Sequence, residues 1–318
     1  CQSVYIFSIL IKKALSFFII VIALMYATQW FIYKGLTINK QGVYHKYSSI
    51  FLRSNNYNAL VLGSSRAEMH TDTKLLDSLT GLNTFNAGVS GASTRMAYIV
   101  LKSYLQNSKM PKTIFLEIDF HISHIKTDTI FNFPRYFPYL SNPVLYSEFK
   151  KIDSRFAQFK YNPFYSLPFS GINALNPSLH GWLGKSTSYD LFYQNGFFKN
   201  TVNDNYDHFE VKQFTGFIHP ETRQYLDSFI VFAKTNKCKL IFTVSPVYKD
   251  AEVEVLNKRE IMRGFNDIAL INKVPFLDLS SDSVIANNKM YFEDNYHMMY
   301  DGAKLYTQKL ARFYNNIK

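Results

Sequence analysis

The chain has 318 residues, of which 47% are hydrophobic and only 19% are charged. This composition excludes an intrinsically disordered protein and allows one large domain, or a domain with a substantial insertion. The formal net charge is +11, but no compact basic run with interleaved aromatic residues is present, so we expect no nucleic-acid partner. Two explanations of the positive charge remain open: a basic surface that faces anionic lipid or acidic glycan, and a chain that is simply rich in lysine.

The two cysteines, Cys1 and Cys238, can form neither a disulfide framework nor a cysteine-based metal site.

An uncharged apolar segment extends from Ala14 to Tyr33. At about 1.5 Å per residue, a helix of this length crosses a hydrocarbon core of roughly 30 Å. Trp30 and Tyr33 are suited to the membrane interface. We therefore predict residues 1–35 as an N-terminal membrane anchor that crosses the membrane at 14–33, with a cleaved signal peptide and a buried helix as the alternatives. Lysines lie on both sides of the segment, so charge alone does not decide its orientation.

Beyond a predicted linker at 36–53, apolar strands alternate with helical patterns. This alternation predicts an α/β domain at 54–318, with a parallel sheet of about five strands covered by helices on both faces. Ligands of such sheets bind at the carboxyl ends of the strands. The predicted strands are Ala59–Leu62, Thr84–Asn86, Thr113–Ile118, Leu240–Val244 and Pro275–Leu277, and the predicted helices are Thr94–Gln106, Glu221–Thr235, Val255–Ile271 and Gly302–Tyr314.

The alternation of strands and helices stops between about Thr127 and Thr215. Aromatic residues are concentrated here, and prolines recur at 134, 138, 143, 163, 168 and 177. We predict that residues 128–215 form an aromatic-rich cap inserted into the α/β domain. Its aromatic side chains either fill the interior of the cap or stack on the sugar rings of a ligand.

The first predicted strand ends at Gly63-Ser64-Ser65, within the stretch "NALVLGSSRAEMH" at 58–70. Such an end can be an ordinary turn, an anion-binding cradle or the support of a nucleophile. A phosphate loop is disfavoured because the G-x-x-x-x-G-K-[ST] pattern is absent. A nucleophilic serine needs a base, usually a histidine that a carboxylate orients. Asp294 and His297, spaced D-x-x-H before the last predicted helix, can supply this pair.

A second glycine-containing turn, "NAGVSGAST" at 86–94, follows the second predicted strand. Its glycines allow the backbone to approach a reacting carbonyl group closely. An N–H of this turn and the N–H of Ser65 could then form an oxyanion hole, in which each donor lowers the barrier by roughly 3 kcal/mol. A flexible strand-to-helix turn is the alternative.

In this order, the three segments resemble the SGNH (GDSL-like) hydrolase superfamily. The nucleophile block of the family matches Gly63-Ser64-Ser65, its oxyanion glycine matches Gly91, and its C-terminal D-x-x-H block matches Asp294 and His297. The resemblance covers about 54–127 and 216–318. It implies a flavodoxin-like three-layer sandwich in which Ser65, His297 and Asp294 are catalytic and the oxyanion is bound by the N–H groups of Ser65 and Gly91.

One block of the family is not matched. The third block, Gly-x-Asn-Asp, supplies an asparagine to the oxyanion hole, whereas this chain has Asp119-Phe120-His121 after the strand "TIFLEI". His121 lies nearest to the missing asparagine and is the expected third donor, with His124 as a lesser candidate. Loss of the asparagine is compatible with a slower transferase, or with a protein that binds acyl groups without turnover.

Two further expectations concern charged and imidazole side chains. Arg66, next to the nucleophile, either binds an anionic group of the substrate or forms a structural ion pair. Four further histidines show no metal-ligand spacing, so we expect neither a metal nor a cofactor. These histidines are His45, His180, His208 and His219.

The variant "LGSSRA" and the pattern H-x-x-x-x-G-A-x-x-[FY]-T, from His297 to Thr307, resemble a membrane-anchored envelope branch of the family. That branch is similar to the accessory protein of lipoteichoic-acid D-alanylation and to SGNH proteins that act beside membrane O-acyltransferases. The resemblance implies an esterase or O-acyltransferase for acyl esters, above all acetyl esters, of envelope polysaccharide. It places the large domain outside the cytoplasmic membrane. The alternatives are an accessory protein docked on a membrane O-acyltransferase and a noncovalent binding module.

Overall fold

The computed structural model describes residues 2–186, 193–201 and 212–318. Cys1, His208 and the parts of the predicted cap at 187–192 and 202–211 lie outside the described residues. The described elements, in chain order, are α1 (Gln2–Thr37), α2 (Gly42–Phe51), β1 (Ala59–Leu62), α3 (Ser65–His70), α4 (Thr73–Thr80), β2 (Thr84–Asn86), α5 (Thr94–Tyr104), β3 (Thr113–Glu117), α6 (Pro143–Ile152), α7 (Phe156–Tyr161), α8 (Pro163–Ser170), α9 (Leu175–Leu183), β4 (Tyr193–Gln194), β5 (Phe197–Phe198), α10 (Pro220–Thr235), β6 (Lys239–Val244), α11 (Lys249–Glu252), α12 (Lys258–Asn272), β7 (Phe276–Asp278), α13 (Ser283–Ala286) and α14 (Tyr300–Asn316), with short 3-10 helices at Phe133–Tyr139, Ile172–Ala174 and Lys289–Tyr291.

A five-stranded sheet in the order β2-β1-β3-β6-β7 forms the centre of the domain, and all its neighbouring strands are parallel. All five predicted strands are present, each within one residue of its predicted bounds. The chain reverses its direction of travel across the sheet between β1 and β3. In sheets of this kind, ligands bind beside that switch point, at the carboxyl ends of the strands.

Helices cover both faces of the sheet because successive strand residues point to opposite sides. Leu60 and Leu62 of β1 join the larger apolar core with residues of α5, α10 and α12. Ala59 and Val61 join a second core, in which Tyr306 of α14 is fully buried. The fold is therefore the predicted three-layer α/β sandwich.

The segment predicted as a linker at 36–53 contains helix α2. Tyr47, Ile50 and Phe51 of this helix are buried in the larger core. A lysine normally indicates a solvated position, but Lys46 is buried. Its ammonium group pairs with Glu68 at 2.9 Å. Only residues 38–41 separate α1 from α2, so the domain is joined closely to the N-terminal helix.

Helix α1 is longer than the predicted 14–33 segment. Among the described residues, it is the one helix long and apolar enough to cross a membrane, a property that a signal sequence shares. Its apolar side chains are exposed; Phe18 and Ile19, for example, are 60% and 65% accessible. This exposure excludes the alternative of a buried core helix.

The predicted cap is largely helical in its described part, which includes α6 to α9. Its buried aromatic residues, such as Tyr136, Phe149, Phe156 and Phe159, belong to the larger core of the domain. These aromatic residues of the described part of the cap therefore fill the interior.

The C-terminal part of α1 packs against α9. Where the helices cross, a Cβ atom added to Gly181 would lie 1.9 Å from the carbonyl oxygen of Gly35. Ser178 Oγ and Trp182 Nε1 both donate to the carbonyl oxygen of Phe31, at 3.3 and 3.0 Å. Two backbones this close leave no room for a larger residue at the crossing.

We predict that Gly181→Ala destabilises the protein by about 1–3 kcal/mol, because the new methyl group collides with the backbone of α1. In a helix without such a neighbour, this change would stabilise by up to about 1 kcal/mol. Thermal unfolding of the full chain in detergent measures the difference. Gly264→Ala in α12 is the matched control, since the new Cβ atom would meet only the Ile218 side-chain tip. Equal stability of both variants would contradict the observed crossing.

Candidate active site

The turn between β1 and α3 places Ser65 at the carboxyl end of the sheet. Gly63 has a φ of +145°, and a Cβ atom there would lie 2.9 Å from Glu117, so the chain needs glycine at this point. Ser64 caps α3 by accepting from the Arg66 N–H at 3.3 Å. Ser65 is therefore the first helical residue, with its side chain at the surface of a cavity.

Ser65, His297 and Asp294 form one continuous chain of contacts. Ser65 Oγ lies 2.8 Å from His297 Nε2, although 232 positions separate the two residues. His297 Nδ1 lies 2.7 Å from Asp294 Oδ2. The expected separation of roughly 2.6–3.2 Å between serine and histidine is therefore present. A proton on Nδ1 satisfies Asp294 and leaves Nε2 free to accept from the serine hydroxyl.

A short loop from Phe292 to Met298 fixes the orientation of His297. Asp294 Oδ1 accepts from the N–H groups of Tyr296 and His297 at 2.7 and 2.8 Å. The loop closes on itself where the Glu293 N–H donates to the His297 carbonyl at 2.9 Å and Phe292 pairs with Met298. Asp294 thus organises the loop through one oxygen and holds the imidazole through the other.

Charges around the loop shift the pKa values of both side chains. Burial alone would lower the pKa of His297, but the hydrogen bond and negative charge of Asp294, with the charge of Glu293, outweigh it and raise the pKa above the usual 6.5. For Asp294, burial opposes ionisation, whereas the contacts with His297 lower the pKa below its usual value. The pair therefore consists of an ionised carboxylate and an unusually basic imidazole.

A buried histidine, His70, connects α3 to the same loop. The Met298 N–H points at His70 Nε2 at 3.0 Å, so this nitrogen must be the acceptor. The proton therefore lies on Nδ1, which is 2.7 Å from Ser245 Oγ, and the Ser245 hydroxyl donates to Glu117 at 2.6 Å. Burial and the nearby Arg66 and His297 hold the pKa of His70 well below its usual value. A neutral His70 satisfies every contact in this relay.

Arg66 lies beneath the site and not in the cavity, which corrects the expectation that it binds substrate. Its side chain is 2% accessible. It contacts Asp119 at 3.3 Å, donates to the Ser245 carbonyl and lies 3.7 Å from Glu117. Because two carboxylates surround the guanidinium, the structural ion pair is the alternative that the geometry supports.

The predicted oxyanion donors are the backbone N–H groups of Ser65 and Gly91. Ser65 is at the first position of α3, where an N–H has no acceptor within its helix. Gly91 has a φ of +72°, and a Cβ atom there would meet the ring of Phe131 at 2.5 Å. Both residues line the cavity with His297. The arrangement is compatible with the predicted oxyanion hole.

His121 is not among the described residues that line this cavity. Its ring packs on Phe120 and Tyr296, and its Nε2 lies 3.8 Å from Glu254. His124, the lesser candidate, packs against Phe214. The expectation that His121 supplies the third oxyanion donor is therefore corrected: the neighbouring aromatic rings hold its imidazole away from the cavity.

The cavity has a volume of about 700 Å³, and part of its lining comes from the predicted cap. Asn132 has a left-handed conformation, with φ of 48°. In the amide orientation that satisfies both groups, its oxygen accepts from Arg135 Nε at 2.7 Å. The sequence patterns did not indicate these cap residues. The full lining is Ser65, Glu68, Met69, Ser90, Gly91, Phe131, Asn132, Arg135, Tyr193, Phe198, Asn200, Thr201, Glu293, Asp294 and His297.

Glu68 was also missed, although its position three residues after Ser65 places it one helical turn further along α3. It accepts from Lys46 at 2.9 Å and from Ser90 Oγ at 2.6 Å. Its carboxylate therefore connects α2, α3 and the Gly91 turn.

Within the described ranges, no group of three or more histidine, cysteine, aspartate or glutamate residues could hold a metal ion.

Comparisons with known proteins give distant likenesses to solved structures. No family model and no curated protein matches the sequence. A solved structure named as a lipolytic protein of the G-D-S-L family, from Desulfitobacterium hafniense, is 9% identical and has a TM-score of 0.43; the alignment covers 80% of this chain and 98% of that one. A structure named as an acylhydrolase, from Bacteroides fragilis, is 11% identical with a TM-score of 0.40, over 82% and 88% of the two chains.

We predict that His70→Ala lowers the free energy of unfolding by about 2–4 kcal/mol, because it leaves a cavity and removes the buried partners of Met298 and Ser245. Chemical denaturation of the full chain in detergent measures this loss. His180→Ala on the half-exposed face of α9 is the control and is expected to change stability by less than about 0.5 kcal/mol. Similar effects of the two substitutions would refute the relay.

Proposed function

We propose that this protein is an SGNH-type serine esterase or O-acyltransferase. The contact chain from Ser65 through His297 to Asp294 carries the proposal. A serine hydroxyl becomes a useful nucleophile only when an adjacent base can take its proton, and the base works best when a carboxylate orients it. All three groups face one cavity large enough for a small organic substrate.

In the proposed reaction, Ser65 Oγ attacks the ester carbonyl carbon and its proton passes to His297 Nε2. The carbonyl electron pair moves to oxygen, where the N–H groups of Ser65 and Gly91 would bind the resulting oxyanion. Collapse of this intermediate breaks the bond to the alcohol, which leaves with the proton from His297. Water or a sugar hydroxyl then attacks the acyl-serine by the reverse sequence, giving hydrolysis or transfer.

The proposed substrate is an acyl ester, above all an acetyl ester, of a cell-envelope polysaccharide. The lining of the cavity favours a sugar ligand, because aromatic rings and polar groups lie together there. The rings are those of Phe131, Tyr193 and Phe198, and the polar groups include Asn132 and Asn200. An acyl group needs little space, whereas the polymer needs an open cavity. These features favour a glycan over a long-chain lipid as the bound molecule.

We further propose that α1 is an uncleaved anchor in the cytoplasmic membrane, with the domain on the outer side. Ile32 and Leu36 of this helix are buried against the cap. Cleavage of a signal peptide would remove this packing and the contacts at Phe31 and Gly35. The outer placement follows from the proposed envelope substrate.

A second candidate is an accessory protein with little turnover, docked on a membrane O-acyltransferase. The observation in its favour is the position of His121: among the described residues that line the cavity, this side chain does not supply the third donor that the family resemblance implies. Each missing donor is worth roughly 3 kcal/mol of barrier, or about a hundredfold in rate. Labelling of the serine distinguishes the two candidates.

We predict that a fluorophosphonate probe labels the full chain at Ser65, because an activated serine hydroxyl attacks the phosphorus. Ser65→Ala should abolish labelling, and His297→Ala should reduce its rate by at least about a hundredfold. Ser78→Ala, at an exposed position of α4, is the control and should label like the unaltered protein. Absence of labelling in the unaltered protein would instead favour the accessory role.

The rate of labelling should fall in acid, with a midpoint above pH 6.5. His297 acts as a base only when neutral, and its pKa is raised above 6.5, so protonation inactivates it before an ordinary histidine would be charged. Asp294→Asn removes the negative charge that raises the pKa, so the midpoint should move to lower pH as the rate drops. A midpoint below 6.5 in the unaltered protein would contradict the role of Asp294.

A further inference from the structure

Helix α1 has two parts with different surroundings. Tyr26 is the first of its described residues to form a hydrogen bond with the rest of the domain, donating to the Tyr161 carbonyl at 2.9 Å. From Tyr5 to Met25, large apolar side chains are mostly exposed. The uncharged stretch from Ala14 to Tyr33 is roughly 30 Å long at about 1.5 Å per residue, which is the thickness of a hydrocarbon core. The outer membrane boundary therefore falls close to Tyr33, and the cap contacts α1 in the last two turns before it.

An aromatic cluster lies at this boundary. Trp30 of α1 and Trp182 of α9 are 5.8 Å apart, and Trp182 stacks on Phe31 at 5.4 Å. Tyr161, at the end of α7, is 59% accessible and accepts the Tyr26 hydrogen bond through its carbonyl. Aromatic residues of this kind are enriched where a membrane meets water. The cap thus adds Trp182 and Tyr161 to the interfacial aromatic residues of α1, such as Trp30.

Exposed apolar side chains continue from this cluster along α8, α9 and the 3-10 helix between them. Ile172 is 83% accessible and Leu183 is 64% accessible. In water, this many exposed large apolar side chains within one short segment would promote association. We name this set the cap apolar surface; its members are Phe164, Phe169, Ile172, Leu175, Leu179 and Leu183.

Both helices that carry the cap apolar surface are held directly on α1. Gln29 Nε2 donates to Ser166 of α8 at 2.8 Å, and Tyr33 contacts Ser170 at 3.3 Å. On the other side, Gly181 of α9 lies against the backbone of Gly35. Helices this firmly attached cannot lie far from the bilayer that α1 crosses.

Lysines lie next to both ends of the segment that carries this surface. Lys160 lies over the ring of Tyr146 at 3.9 Å and near Tyr161 at 5.1 Å, and Lys185 is exposed just after α9. Long basic side chains at such positions can extend to phosphate groups while their stems remain on apolar surface. This arrangement fits a lipid headgroup region better than the dry interior of a protein interface.

We propose that the cap apolar surface is embedded in the outer leaflet of the bilayer that α1 crosses. Its occupant is phospholipid: acyl chains contact the apolar side chains, and headgroups contact the lysines. The proposal rests on the proposed anchoring by α1. In this arrangement the cap lies at the membrane interface and holds the cavity close to the membrane surface. A domain joined to its anchor by a flexible linker would not be held in this way.

Tryptophan fluorescence can test this proposal, because the chain has only two tryptophans. Trp30→Phe with Trp182→Phe gives a background without tryptophan, into which one reporter is introduced. Leu183→Trp reports the cap apolar surface, and Phe164→Trp is a second reporter on α8. Val231→Trp is the matched control on α10, since Val231 is 62% accessible and Leu183 is 64% accessible. Leu24→Trp reports the anchor itself.

Each full-length variant is reconstituted alone in phosphatidylcholine vesicles, with and without brominated lipid. The bromine is near the carbonyl end of the acyl chains for the cap reporters and the control, and near the middle of the bilayer for Leu24→Trp. We expect bromine to reduce the fluorescence of Leu183→Trp and Phe164→Trp at least about twofold, as for residues in the interfacial region. Val231→Trp should be unaffected. Circular dichroism of each variant checks that the fold is retained.

Two outcomes would overturn the proposal and separate it from its premise. Quenching of Leu24→Trp without quenching at either cap reporter would leave the anchor intact and show that the surface does not contact lipid. In that case a protein partner, such as a membrane O-acyltransferase, becomes its occupant. Absence of quenching at Leu24→Trp would remove the anchor, and the embedded cap with it.

Discussion

The candidate site depends on the contact between α3 and the loop that carries His297. Ser65 begins this six-residue helix and meets His297, while His70 ends it and accepts the Met298 N–H. Both ends of one short helix therefore contact the same loop. Since a helix is rigid over this length, the two contacts set the distance and the angle between hydroxyl and imidazole together. Asp294 adds the last constraint by fixing the ring within the loop.

Much of the sheet could be predicted because its strands are short apolar runs between turn-forming residues. The same logic could not identify α2, whose burial depends on partners from distant segments: Lys46 fits the interior only because Glu68 lies opposite. The cap raised a similar difficulty. Its aromatic residues give no period, and their positions follow from packing against α5 and α2, which no local pattern encodes.

The contact of Ser65 with the D-x-x-H pair could be predicted from the order of their motifs, since each motif carries its own local geometry. The roles of Arg66 and His121 could not. A side chain next to a nucleophile can face the cavity or the sheet, and here Glu117 and Asp119 at the end of β3 draw Arg66 inwards. Asp119 also bonds to the backbone N–H of His121, while the neighbouring rings hold its imidazole. Such choices depend on charges from another strand.

The pairing of the buried charges explains how so polar a region can lie beneath Ser65. Glu117 accepts from Ser245, Thr243 and Tyr306, so its lone pairs are filled although burial raises its pKa. Burial also opposes ionisation of Asp119, but Arg66 and its hydrogen-bond partners outweigh this effect and lower the pKa. Buried ion pairs contribute little net stability, because desolvation offsets their attraction. Their effect here is positional and electrostatic: Asp119 is one of the negative groups that raise the pKa of His297. The network that fixes α3 therefore also increases the basicity of the imidazole that α3 contacts.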